Sequence, residues 1–208
     1  MAGQTKEDIL ITARELFNEY GYKNISMRDI AKKLNISVGN LTYYFKKKED
    51  LIEEVVMYKH RKYKGILLPK SLDDLNNLFL DMLNTQNKNI YYFKHFDELA
   101  EISSKIYEIQ LATLNKIEKI LKECFEELQR KNLVQKVKPK SQIDNLIKCI
   151  LTVIIYKPIK TKDLNKQDNI DSIISCLWSM IFMYLTDEGK DMYLSIFKET
   201  TTITVINH

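Results

Sequence analysis

The chain has 208 residues, 45% of them hydrophobic, with five Gly and three Pro; this suits a packed, all-helical core in one large domain or two modest ones. Its formal net charge of +4 lies wholly in the first third, since residues 1–65 hold 13 basic and 9 acidic side chains and residues 66–208 hold 19 of each. Three separated cysteines, Cys124, Cys149 and Cys176, exclude a disulfide framework and read as buried reduced thiols, and no apolar run approaches the roughly 18 residues of a membrane span.

Thr5 caps a first predicted helix over about 6–20, whose apolar face is Ile9, Ala13, Leu16, Phe17 and Tyr20; Gly21 supplies a left-handed stop. Ser26, with Asp29 three residues on, opens a second helix over about 27–34 carrying Ile30, Ala31 and Leu34, and Asn35 ends it. Ser37 caps a third, over about 38–44, anchored by Leu41 and Phe45. Leu51, Ile52, Val55, Val56 and Tyr58 mark a linking helix over about 49–65, and Gly65 and Pro69 set the domain boundary. Helical patterns follow at 71–83, 89–102, about 104–131, 141–156 and 169–185. The last stretch starts as helix near Gly189 and closes with TTTITVI, whose β-branched residues fit a strand as well as a helix.

Residues 21–48 hold seven Lys or Arg against the single acid Asp29. Such an excess on one small module, across two short helices and a tight polar break at about 26–45, points to a helix-turn-helix DNA reader. Ser37, Val38, Gly39 and Asn40 open the recognition helix. Gly39 costs about 1 kcal/mol relative to Ala there, so it needs a reason: close approach to DNA, or a packing contact with the preceding helix. The carboxamide of Asn40 matches an adenine edge, and Tyr43 and Tyr44 offer hydroxyls to phosphate, although one aromatic of this helix is needed to seal the core. Lys46, Lys47 and Lys48 precede the positive end of the next helix, where a phosphate would offset their repulsion; a solvated loop is the plainer alternative.

Ile9, Ala13, Leu16, Phe17, Gly21, Tyr22, Ser26, Ile30 and Ala31, followed by S-x-G-x-L-x-Y-x-F-x-x-K-E-x-L from Ser37 to Leu51, resemble the N-terminal domain of the TetR family of bacterial transcriptional regulators. The resemblance implies an N-terminal three-helix DNA-binding domain (4–64) joined by the linking helix to a helical effector-binding and dimerisation domain (65–208). It also implies phosphate contacts from Ser26 and Lys48 and a groove-facing set of Val38, Gly39, Asn40, Thr42, Tyr43 and Tyr44, flanked by Ser37 and Lys46. Thr42 stands where relatives commonly carry an aromatic, and Tyr44 where they often carry His, so base preference does not transfer.

In the second domain, Tyr92, Phe93, Phe96, Trp178 and Phe182 are candidates to line an effector pocket, with plain core as the alternative. LWSMIFMYL, residues 177–185, is apolar nearly all round, so the stretches 169–186 and 189–206 are expected at a dimer interface. His60, His95 and His208 show no metal-ligand spacing, and no phosphate loop or nucleophile elbow occurs; neither enzyme, metal site nor cofactor is expected. The reading is a cytoplasmic, homodimeric, ligand-responsive repressor of its own or a neighbouring gene, bound to palindromic double-stranded DNA, with an apolar or aromatic effector and no membrane association. The alternatives are a DNA-binding interaction protein acting at many chromosomal sites through a protein partner, or a small-molecule binding protein or enzyme with a vestigial module.

Overall fold

The computed structural model describes residues 6–62, 65–139, 141–156 and 166–205. Eleven α-helices follow one another in these segments: α1 (Lys6–Tyr20), α2 (Met27–Lys33), α3 (Val38–Tyr44), α4 (Lys48–Lys62), α5 (Leu72–Asn87), α6 (Ile90–Lys94), α7 (Phe96–Ile102), α8 (Ser104–Arg130), α9 (Ser141–Tyr156), α10 (Lys166–Phe182) and α11 (Asp187–Val205). No strand forms among the described residues; one isolated bridge pairs Val134 with Leu185. No helix there is long and apolar enough to cross a membrane. The proposed Thr5 cap lies outside the described residues.

The chain forms two compact units, residues 1–65 with 85–113 and residues 66–84 with 114–208. The sequence division at 64/65 therefore differs from the packing, because α6, α7 and the start of α8 join the first unit. Its core is built from Ile9, Ala13 and Phe17 of α1, Ile30 of α2, Leu41 of α3, Leu51, Ile52 and Val56 of α4, and Tyr91 and Leu99 beyond them. The predicted helix over 89–102 is interrupted at His95, whose φ of −118° and ψ of 31° separate α6 from α7. Tyr20, expected on the buried face of α1, is 52% exposed.

The second unit buries Leu75, Phe79, Leu121, Phe125, Ile147, Ile150, Leu177 and Trp178, the last donating its indole N–H to Asn76 Oδ1 at 2.9 Å. Only Cys124 of the three free cysteines is buried, its thiol pushed up to about 12 chiefly by burial; Cys149, expected inside, is exposed on the outer face of α9. The TTTITVI segment continues α11 as helix through Val205, and Ile206 lies outside the described residues. Segment 177–185 buries Leu177, Trp178, Ile181 and Leu185 yet leaves Phe182 and Met183 exposed, the latter at 79%.

At Gly189 the backbone of α11 comes close to that of the loop after α8. The loop after α8 and the turn before α11 are stitched together by Gln135 N–H to the Tyr184 carbonyl (2.8 Å), Thr186 N–H to the Leu133 carbonyl (3.1 Å) and Thr186 Oγ1 to the Asn132 carbonyl (2.6 Å). That stitching draws Tyr184 and Leu185 out of α10, so the helix stops at Phe182 instead of 185. A Cβ at position 189 would lie 2.1 Å from the Leu133 carbonyl oxygen. Gly189→Ala is therefore expected to lower stability by about 3 kcal/mol through forced backbone displacement, seen as a lower thermal midpoint; an unchanged midpoint would contradict the packing.

Candidate nucleic-acid interface

Two terminators place α3. The carbonyls at the end of α2 are closed by Asn35 N–H to Lys32 O (3.1 Å) and Ile36 N–H to Ala31 O (3.0 Å), with Asn35 at φ 54°. This is a Schellman turn, in which Asn tolerates the left-handed conformation. Gly21 also has positive φ, 84°, but its ψ of 147° is extended rather than left-handed helical, a region open mainly to Gly.

Ser26 and Asp29 form the expected capping box. Asp29 N–H donates to Ser26 Oγ (3.3 Å), while Ser26 N–H (2.8 Å) and its hydroxyl (2.5 Å) donate to Asp29 Oδ2. The hydroxyl proton is thus committed within the cap, and a phosphate contact through it requires displacing Asp29. Ser37 differs: its oxygen accepts Asn40 N–H at 3.0 Å, leaving its proton available.

Within α3, Leu41 is fully buried and Phe45 follows as its buried C-cap. The aromatic that seals the core is thus Phe45, and neither Tyr43 (83% exposed) nor Tyr44 (38%) is enclosed. At 100° per residue Tyr43 lies about 200° from the Leu41 anchor, on the opposite face, while Tyr44 lies only about 60° from it, at the edge of the buried face, and their rings meet edge to face at 5.3 Å. Ser37, Val38, Gly39 and Asn40 are exposed and Thr42 is half-buried. Thr42 Oγ1 donates to the Gly39 carbonyl at 3.0 Å, so its hydroxyl proton turns back onto the helix. A Cβ on Gly39 would meet only Ser37 Oγ at 3.7 Å, so no contact with α2 demands glycine there.

The lysine cluster divides. Lys46 and Lys47 are exposed, but Lys48 is half-buried, with its ammonium 4.1 Å from the Tyr22 ring centroid and donating to the Tyr22 carbonyl. Burial lowers its pKa, opposed by Glu49 and Asp29, and burial first, then Glu49, pushes the Tyr22 phenol up to about 12. The repulsion between Lys48 and the start of α4 is therefore offset inside the protein, by a carbonyl and an aromatic face. Lys47 N–H donates to Asp50 Oδ2 at 3.1 Å, capping the same helix start. Sequence reasoning passed over Arg28, exposed on α2 beside Ser26; Arg28, Lys32, Lys33, Lys46 and Lys47 make no ion pair among the described residues. Its place in the basic window was the available signal.

The five residues named for an effector pocket fall into both units. Tyr92, Phe93 and Phe96 cluster in the first, with Tyr92 edge-on to the other two at 5.1 and 5.6 Å. In the second, Trp178 lies 6.4 Å from Phe79 and 5.2 Å from Tyr193, which itself lies 5.4 Å from Phe182. Tyr92 and Trp178 are buried in their respective cores. No group of His, Cys, Asp and Glu among the described residues has metal-binding geometry.

Two measurements follow from this geometry. Gly39→Ala is expected to leave folding intact or raise stability by up to about 1 kcal/mol, while reducing DNA affinity; loss of stability would reveal an internal reason for the glycine. The Ser26 hydroxyl, then the Ser26 N–H, holds the Asp29 carboxyl below its ordinary value of 3.8. A carboxylate depressed on folding stabilises fully above its ordinary pKa and loses that effect as pH falls through the depressed folded value. Acid unfolding of Asp29→Asn should therefore show a shallower loss of stability below about pH 4 than the parent, and identical acid curves would contradict the capping role.

Residues 9–55 match the model of the bacterial regulatory proteins of the tetR family. The chain is 29% identical over 136 residues to the probable HTH-type transcriptional regulator YttP of Bacillus subtilis (strain 168), covering 61% of this chain and 66%, just under two thirds, of that relative. Among solved structures, a TetR-family transcriptional regulator from Marinobacter aquaeolei VT8 matches with a TM-score of 0.79 at 21% identity, over 95% of this chain and 98% of that one. AibR, solved in complex with isovaleryl coenzyme A and operator DNA, matches with a TM-score of 0.61 at 20% identity, over 82% and 96%. These structural likenesses bear on the fold, and the matched motif residues lie in α1 to α4. Residues 9–55 thus carry a segment that matches the tetR family of bacterial regulatory proteins, within an all-helical fold shared with solved TetR-family regulators.

Proposed function

We propose that the chain is a homodimeric transcriptional repressor of its own or a neighbouring gene, which binds a palindromic operator and releases it when the second unit takes up a small apolar or aromatic effector. The observation that carries this reading is the division of α3. Leu41 and Phe45 are buried, while Ser37, Val38, Gly39, Asn40, Tyr43 and Tyr44 are exposed, in a stretch of sequence that also exposes Arg28, Lys32, Lys33, Lys46 and Lys47. A short helix held this way enters a major groove, and a dimer places two such helices about 34 Å apart on successive grooves. Ser37 and Lys46 are suited to phosphate, and Lys48 keeps two ammonium hydrogens for it beyond the one given to Tyr22.

The exposed apolar side chains of α10, of the turn after it and of α11, Phe182, Met183, Met192 and Leu194, support a two-fold contact through this region. The Trp178, Phe182, Phe79 and Tyr193 group supports an aromatic or apolar effector in this unit, and AibR is a fold relative that holds both an acyl coenzyme A and operator DNA. Release requires only that the effector bind more tightly to the spacing that does not fit DNA.

The purified chain should shift a palindrome beside its own gene at nanomolar concentration and sediment as a dimer. Dozens of dispersed chromosomal sites, in place of one or a few, would contradict the repressor reading. Lys46→Ala should weaken binding to every sequence and reduce the slope of log affinity against log salt by about one unit. An unchanged slope would remove Lys46 from the phosphate contacts. Lys48→Ala should also lower the thermal midpoint, because it vacates the Tyr22 carbonyl.

A further inference from the structure

Resting on α3 as the DNA-reading helix, we infer that the base pairs beneath it are A·T, and that guanine is read only at the edge of each half-site, by Arg28. The inference comes from which hydrogen-bonding groups α3 leaves outward. It holds no Arg, Lys, Gln, His, Asp or Glu. In the major groove guanine presents two acceptors, best met by the paired donors of Arg or Lys, and cytosine presents an amine, met by a carboxylate. Neither kind of reader is available on α3.

Adenine presents an acceptor beside a donor, the complement of a carboxamide, and thymine adds a methyl group. Asn40 supplies the carboxamide: its backbone N–H is held on Ser37 Oγ at 3.0 Å, and its exposed side chain bonds to no other described residue. Val38 is an exposed apolar contact for a thymine methyl. Thr42 spends its hydroxyl proton on the Gly39 carbonyl, so what it retains is a methyl group and acceptor lone pairs. Acceptor lone pairs repel the guanine edge. Gly39 carries no side chain, and the tyrosine hydroxyls offer single bonds, without the two-point match that separates guanine from adenine.

The cations lie off the helix. Lys46 and Lys47 follow its C-cap Phe45, and Lys32 and Lys33 close α2. Arg28 is the exposed guanidinium of the module: it stands in the first turn of α2, with no ion pair among the described residues, whereas Arg61 is held by Glu54 at 2.8 Å. The helix before the recognition helix crosses the DNA backbone, which puts Arg28 at the margin of the half-site.

The test is selection of the full chain against a random duplex library, followed by affinity measurements on the winning duplex. Enrichment of A·T pairs at the centre of each half-site is expected, with guanine confined to its edge. Substituting 7-deazaadenine for the central adenine removes one of the two bonds and should weaken binding by about 2- to 13-fold, the range of one hydrogen bond. Deoxyuridine for the neighbouring thymine should weaken it to a smaller extent. Asn40→Ala, at an exposed position, should keep the thermal midpoint and lose the adenine preference, and Arg28→Ala should lose the edge guanine alone. A G·C centre, or an adenine preference unchanged in Asn40→Ala, would overturn the inference while leaving the regulator reading standing. Failure to bind or enrich any duplex would overturn both.

Discussion

The burial of Leu41 and Phe45 is the constraint on which the presentation of α3 depends. A helix of seven residues is far below the roughly 12 to 15 at which isolated helices become marginally stable in water, and α3 includes Gly39, Thr42 and two tyrosines, none of them strong helix formers. Its helical state therefore comes from packing: Leu41 and Phe45 enter the same core as Ile30, Ala31 and Ile52. Truncating a buried Leu typically costs about 2 to 5 kcal/mol, several times the contribution of the Ser37 cap, about 1 kcal/mol. The two anchors, four residues apart, fix the rotation of the helix, and the rotation decides which side chains meet solvent.

Ion pairs around this core orient helices more than they stabilise them. Glu54 of α4 receives Lys6 of α1 at 3.2 Å and Arg61 at 2.8 Å, and Glu53 beside it accepts the Ser103 hydroxyl at 2.6 Å and Lys105 at 2.8 Å. Partly exposed pairs of this kind contribute about 0 to 1 kcal/mol each. Their geometric effect is larger. Two adjacent carboxylates tie α4 to α1 and to the start of α8, and Lys48 ties its first turn to the segment leading into α2. The helix that follows the reader is thus held by specific polar contacts as well as by its apolar face.

Much of the reader was legible in the sequence because local chemistry fixes it. Ser26 with Asp29, Asn35 at the turn, Ser37 at the next start, and Leu41 with Phe45 as anchors each act within a few residues, and each takes the role that local rules assign. What depends on distant partners was not legible. The spacing that marks Lys48 gives no sign of Tyr22 beneath it, and nothing local tells Thr42 to turn back onto Gly39. The aromatic residues of 91–96 and 178–193 read alike as pattern, yet they pack in different units because α6 and α7 join the first core. Helical periodicity reports that a face is buried and is silent on which core buries it. Cys149 failed in the opposite way, its apolar neighbours concealing that it stands on the outer face of α9.

Site-specific photocrosslinking tests the central claim most directly. With a benzophenone amino acid in place of Tyr43 in the full chain, and the same label in place of Tyr107, an exposed tyrosine of α8, both proteins would be irradiated on the selected duplex. The expected result is a crosslink from position 43 confined to the half-site centre, and none from position 107. Crosslinks from position 107 with none from position 43 would contradict the assignment of α3 as the element that reads DNA.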